Sequence, residues 1–420
     1  MWSKRILSAA ACGAAALIGI GPLLISAPAD AATATTYYVD SLGGSDGNSG
    51  TSSAAAWKTL HKVNSAAFDP GDTIRFKRGQ AWTGSLHLSS LGTASSPITV
   101  TTYGSGALPR IGGKVTECIT VDGSYWNITG LWASGCNWAG IEIRGDHNTL
   151  TSVRTDHNVA GVSITEEASS NTLRGSTLTD NNKMSVNTPG GYDDSGAFGV
   201  LLNGDDNLIT GNTITGSYAS SYDYGHDGAA VEVFNGDRNR VEYNLTRDNE
   251  TFTELGHAPG ETADGNVYAY NLVTSVHDTA AFLVTRGAQN SLGPVRGTVA
   301  INNSVSLPGK GTQGWVCYAG CAADILKLRN NALAVGGKTG YEDGDGADED
   351  NSVYWGQQTQ FELGPSSIEA DPLYRSATDL RLPAGSPAVE RGVPTGYTTD
   401  LAGQPVPATT PDAGAYQHNG

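Results

Sequence analysis

The sequence predicts an all-β fold, a solenoid in which short parallel strands stack coil upon coil into a β-helix. Three observations carry this. Glycine is abundant, at 55 of 420 residues, while Met and Phe are scarce. Segments with the 3.6-residue period of an amphipathic helix are nearly absent, and short alternating runs bounded by Gly, Asn and Asp take their place. These runs repeat at a nearly constant step, which is the signature of stacked coils.

The repeats can be followed along the chain. Ala139-Gly-Ile-Glu-Ile-Arg-Gly-Asp-His-Asn148 is followed by Gly161-Val-Ser-Ile-Thr, closing on Asn171. Gly199-Val-Leu-Leu-Asn-Gly-Asp-Asp-Asn207 and Ala230-Val-Glu-Val-Phe-Asn-Gly-Asp-Arg-Asn239 come next. Phe252-Thr-Glu-Leu-Gly, closing on Asn266, and Ala281-Phe-Leu-Val-Thr-Arg-Gly-Ala-Gln-Asn290 complete the series. The plainest steps are 23 residues, Asn148 to Asn171, and 24 residues, Asn266 to Asn290. Three short strands and three turns need about that length. A lone coil cannot bury its apolar face, but a stack can, and recurrent Asn side chains can form ladders along it.

The ends have their own signals. Met1 to Ala31 reads as a secretory signal peptide: Lys4 and Arg5, an apolar stretch, then Ala29-Asp30-Ala31 as the cleavage signal. Gly21, Pro22 and Pro28 break that stretch, which argues against a membrane anchor. No later segment is long and apolar enough to span a bilayer. The mature chain is expected to be secreted and monomeric. Loss of Lys4, Arg5 and Asp30 takes the formal net charge from −17 to −18. So acidic a surface repels nucleic acid and anionic membranes, and disfavours polyanionic substrates. Export permits disulfides, and Cys118–Cys136 and Cys317–Cys321 are the expected pairs, as staples rather than chemistry. Trp57 to Val63 is expected to form a short helix capping the amino-terminal end of the stack.

Tyr37-Tyr-Val-Asp-Ser-Leu-Gly-Gly-Ser-Asp-Gly-Asn-Ser-Gly-Thr51, Trp57-Lys-Thr-Leu-His-Lys-Val-Asn64 and Pro70-Gly-Asp-Thr-Ile-Arg-Phe-Lys-Arg-Gly79 resemble the opening of bacterial secreted proteins of the pectin-lyase-like group. Asp371-Pro-Leu-Tyr, Gly385-Ser-Pro-Ala and Asp412-Ala-Gly-Ala-Tyr416 resemble its closing segment. The resemblance covers nearly all of residues 36–418. It implies a right-handed parallel β-helix over that span and a polysaccharide or oligosaccharide substrate. It is weak for activity, since one fold hosts many functions.

Function is carried by departures from regularity. Insertions at 181–198, 216–228 and 256–265 are expected to rise from one side of the stack and wall a groove. They bring Lys183, Tyr192, Tyr222, Tyr224, His226, Asp227 and His257 as candidate substrate contacts or, for Asp227, a catalytic carboxyl. Aromatic faces suit the apolar faces of sugar rings. Strand alternation sends Val231 and Val233 inward and Glu232 outward. In the next coil Thr253 and Leu255 take the inward places, so Glu254 stands beside Glu232. Two stacked carboxylates cannot both ionise freely, which is the pairing that acid–base chemistry needs. Arg286 follows one coil later, as a hydroxyl or carboxylate ligand or an ion-pair partner for Glu254. Glu142 shares the column with two coils intervening, as a distal contact or a solvated carboxylate.

The run Asp343, Asp345, Asp348, Glu349, Asp350 resembles a calcium loop only loosely and is expected to be a solvated turn. Asp40 to Thr51 could also hold a cation. Three functions remain open. One is a glycoside hydrolase using Glu232, Glu254 and Asp227, with no cofactor required. The second is a polysaccharide lyase on a uronic-acid polymer, with Ca²⁺ and Lys183 or Arg286 as base. The third is a non-enzymatic glycan-binding β-helix.

Overall fold

Short runs rich in Thr, Ile, Val and Leu, often closed by Gly or Asn, form strands mostly of three to six residues, with Lys338–Gly344 and Gln313–Cys321 longer at seven and nine. The computed structural model describes residues 33–418, so the leader Met1 to Ala31 lies outside the described residues. From Thr36–Val39 to Ile368–Glu369 the strands fall into three parallel sheets of twelve, eleven and twelve strands. Successive strands visit the three sheets in turn, and each pairs with its counterpart one coil away. Val, Ile and Leu at alternating positions point inward and merge into one continuous core.

Asparagine fills the turns. Asn148, Asn171, Asn207, Asn239 and Asn266 form a ladder in which each side-chain oxygen accepts the backbone N–H of the Asn one coil below, at 2.8–2.9 Å. A second ladder runs through Asn212, Asn244, Asn271, Asn303 and Asn331 at 2.9–3.0 Å. Its turns need left-handed backbone just before each Asn, taken by Gly211, Tyr243, Tyr270, Asn302 and Asn330. Such ladders satisfy buried N–H groups that the turns would otherwise orphan.

Both expected disulfides are present, Cys118–Cys136 and Cys317–Cys321. Three expectations need correction. The helix covers Leu60–Asn64, not Trp57 to Val63, because Thr59 is its N-cap and accepts the Lys62 N–H. Asn290 is not a rung: it lies in a loop and accepts the Leu292 N–H, while the next coil resumes at Thr298–Ile301. The acidic run is only in part a solvated turn: Asp343 and Asp345 are exposed where a strand ends in a bend, but Asp348–Asp350 is a strand. Glu349 is buried and accepts from Ser367, Tyr354 and the Gly364 N–H, and Asp348 pairs with Arg329 and Lys327. Strands end at Glu369, and the remaining chain runs back along the outside, where Asn302 and Tyr243 hydrogen-bond the Asp412 and Thr399 carbonyls.

Candidate active site

The eleven-stranded sheet carries the site. Its outward column runs Glu142, Ser163, Leu201, Glu232, Glu254, Val284, each paired in register with the next. Glu232 and Glu254 therefore occupy adjacent rungs, about 4.8 Å apart at the backbone. Val231, Val233, Thr253 and Leu255 are fully buried on the inner face, as alternation requires.

The walls come from both edges of this sheet, not one. The first two insertions precede the strands Phe198–Leu202 and Ala229–Phe234 and form antiparallel pairs, Met184–Val186 with Ser195–Gly196 and Ala219–Ser221 with Gly225–Asp227. The third insertion follows the strand Thr251–Gly256, so it rises on the opposite edge. Beside it the loop after Ala281–Arg286 brings Leu292 to the floor. Glu232, Arg286, Phe198, Leu201, Trp138 and Leu292 line a cavity of about 490 Å³. A larger hollow of about 830 Å³ lies against the carboxyl-terminal tail. Its carboxylates are spent: Asp379 is forked to Arg381, and Asp400 accepts N–H groups of its own turn.

Electrostatics separate the carboxyls. Burial, then the charges of Glu254 and Asp227, push Glu232 well above the usual carboxylate range, and Arg286 acts against this. Burial, then Glu254, Asp194 and Glu250, push Asp227 up to about 7, against a hydrogen bond from the Gly228 N–H. Glu254 is ion-paired with Arg286, whose other terminal nitrogen donates to the Leu255 carbonyl. Arg286 is thus the partner of Glu254 rather than a free substrate ligand. Arg286→Ala is expected to lower kcat, because Glu254 loses its counter-ion. The alkaline limb of the pH–rate profile should move to higher pH, because the cation that lowers Glu232 is gone. A limb that stays in place would show that Glu232 is not the titrating acid.

Other expected contacts are placed differently. His257 is buried, with its ring nitrogens 2.9 and 3.2 Å from the Ala258 and Pro294 carbonyl oxygens, so it ties two wall loops together and does not face the groove. Lys183 donates to the Cys136 carbonyl at 2.8 Å, and burial lowers its pKa. His226 stacks on Tyr218 at 4.5 Å, and Tyr218 stacks in turn on His277 at 3.7 Å. Glu142 is buried rather than solvated, and its carboxylate is taken up by Trp138 and Arg144. Tyr192, Tyr222 and Tyr224 are exposed on the first two loops, with the Tyr224 hydroxyl donating to the Tyr192 carbonyl at 2.6 Å.

Asp193, Asp194 and Asp223 bring carboxylate oxygens within 4.8 Å of one another. Asp194 accepts from the Thr188 and Asp223 N–H groups and the Ser221 hydroxyl, and Asp223 from the Gly190 and Asp193 N–H groups. These carboxylates brace the two loops against each other. In the Asp40 to Thr51 segment, Asp40 accepts from Lys77, Gln80 and the Leu42 and Gly43 N–H groups.

The residues that sequence reasoning missed are Trp138, Phe198 and Leu201. The available signal was Gly at 140, 161 and 199. A Cβ at Gly199 would fall 2.4 Å from Ile214 Cγ2, a core atom, so that position faces inward and Phe198 before it is turned out.

The family model described as a right handed beta helix region matches residues 117–340. This chain belongs to that family. The family's fold, with its three parallel sheets, places the protein in the pectin-lyase-like right-handed β-helix superfamily. A lacto-N-biosidase of Bifidobacterium longum subsp. longum is 42% identical over 96 residues, 22% of this chain. The match takes in only 6% of the length of that curated relative. Among solved structures, the GH136 lacto-N-biosidase of Eubacterium ramulus superposes with a TM-score of 0.59 at 16% identity, over 80% of this chain and 67% of that one. Pectate lyase Pel9A gives 0.58 at 18% identity, over 92% and 96% of the two chains. XylC in complex with xylose gives 0.56 at 11% identity, over 91% and 98%. At these identities the structural likenesses speak for the fold alone.

Proposed function

We propose that this β-helix protein is an exported glycoside hydrolase. The observation that carries the reading is the register pair Glu232–Glu254, in which the two carboxyls have unlike surroundings. Glu232 is kept neutral by burial and neighbouring charge, the state of a general acid that protonates the leaving glycosidic oxygen. Glu254, ion-paired with Arg286, serves as nucleophile at the anomeric carbon. Adjacent rungs suit the retaining separation of about 5–5.5 Å better than the inverting one of about 6.5–9.5 Å. Asp227, pushed up to about 7, is a second proton carrier for the hydrolytic half-reaction. The lacto-N-biosidase similarity supports a hydrolase, and the two disulfides support the exported state.

A lyase needs a free base over the groove. Lys183 and Arg286 are both engaged by other groups, which favours the hydrolase. A glycan panel, with and without chelator, separates the two. New reducing ends without ultraviolet absorbance of unsaturated uronates are expected. Absorbance that disappears on chelation would replace this reading with the lyase.

A further inference from the structure

The outer face of a solenoid sheet is normally solvated and polar. Here Ala139, Val159, Ala160 and Phe198, with Trp138 and Leu201 packed on them, form an apolar cluster separate from the core. The cluster lies on the amino-terminal side of Glu232. A cavity of about 470 Å³ lined by Trp138, Glu142, Ser163, Glu166, Leu201 and Asn203 adjoins it. Trp138, Leu201 and Asn203 also line the cavity of Glu232, so the two hollows form one groove. Glu142 lies three rungs from Glu232, about 14 Å at strand spacing.

Trp138 is held in place. Its indole N–H donates to Glu142 Oε2 at 2.9 Å. Glu142 Oε1 accepts from Arg144 Nε at 2.7 Å, and Arg144 also reaches Asp122 at 3.2 Å. Burying Glu142 and then spending its carboxylate on these two neighbours fixes an aromatic plane and a guanidinium edge before any ligand arrives. Preorganisation of that kind reduces the entropy lost on binding. An indole face suits the C–H face of a sugar ring. Ser163, small and nearly buried, leaves the floor open between Trp138 and Leu201.

We propose that Trp138, with the Glu142–Arg144 pair behind it, forms a distal subsite for a neutral oligosaccharide whose chain continues along the groove from Glu232. The proposal rests on the groove being a glycan site, and it adds the direction, length and charge class of the ligand. Arg144 is already paired with two carboxylates, and Glu166 and Glu167 stand exposed at the same hollow, so a uronate chain meets net negative charge.

Calorimetric titration tests this with cello-, xylo-, manno- and chito-oligosaccharides from disaccharide to hexasaccharide, and with oligogalacturonides. At least one neutral series should bind more tightly as it lengthens. Trp138→Ala should weaken the hexasaccharide by about tenfold and the disaccharide little. Trp138→Phe should keep most of the gain with length. Ser163→Trp, which blocks the floor, should abolish that gain, and it carries the test if Trp138→Ala does not fold. Binding that does not rise with length in any neutral series, an equal loss at every length in the variants, or preference for oligogalacturonides overturns the subsite. Reducing-end release from the same sugars is followed in parallel. Length-dependent binding without turnover counts against the hydrolase alone, and turnover with length-independent binding counts against the subsite alone.

Discussion

Glu232→Gln is expected to lower kcat on the cognate glycan by about 10²–10⁴-fold, the range for loss of a positioned general acid. The substitution keeps shape and hydrogen-bonding capacity, so the melting temperature should hold. It removes only the proton that burial and the charges of Glu254 and Asp227 keep on the side chain. A leaving group that needs no protonation, such as a nitrophenolate, should recover much of the loss in Glu232→Gln. Glu254→Gln should show no such recovery, because the missing group there is the nucleophile paired with Arg286. Full activity in Glu232→Gln would remove the catalytic assignment. Recovery in Glu254→Gln and not in Glu232→Gln would exchange the two roles.

Asn271→Leu is expected to cost about 4 kcal/mol, summed from unsatisfied buried groups at roughly 1–3 kcal/mol each. Asn271 is fully buried. Its side-chain oxygen accepts from the backbone N–H and the side-chain amide of Asn244, both at 3.0 Å. Its amide donates to the Val241 carbonyl at 2.9 Å and to Asn303 Oδ1 at 3.0 Å. Leucine fills the space but returns none of the four bonds. The loss should appear as a lower urea midpoint at unchanged slope. Asn290→Leu is the control. Its side chain caps one exposed loop N–H, so its cost should stay within about 1 kcal/mol. Equal costs at the two positions would show that the ladder adds nothing beyond a local turn.

The same two positions show where pattern reading succeeds and where it fails. Asn266 to Asn290 matched the coil length, yet the chain uses 32 residues from Val267 to its partner Val299. A solenoid tolerates a loop of any length between strands, because only the strand register is constrained by the core. Spacing therefore marks coils only where no loop intervenes. In both ladders the residue before each Asn is left-handed whatever its side chain, from His147, Ser170 and Arg238 in the first to Gly211, Tyr243 and Asn302 in the second, so that feature carries no side-chain signature by which the second ladder could be read.

Alternation and coil length determined that the chain is a stack of parallel strands, that Glu232 and Glu254 point outward together, and that two loops rise beside them. Those are local periodicities of 2 and of one coil, and the backbone obeys them wherever one face must be buried. Only the tertiary structure decided what surrounds the carboxyls. Arg286 closes on Glu254, His257 turns to backbone carbonyls, and Glu142 is consumed by Trp138 and Arg144. The inward bend at Gly140, Gly161 and Gly199 turns Phe198 out and leaves an apolar strip beside Glu232. Burial and pairing depend on which loop returns over which rung. That is set by packing between residues far apart in the chain, and no period in the sequence encodes it.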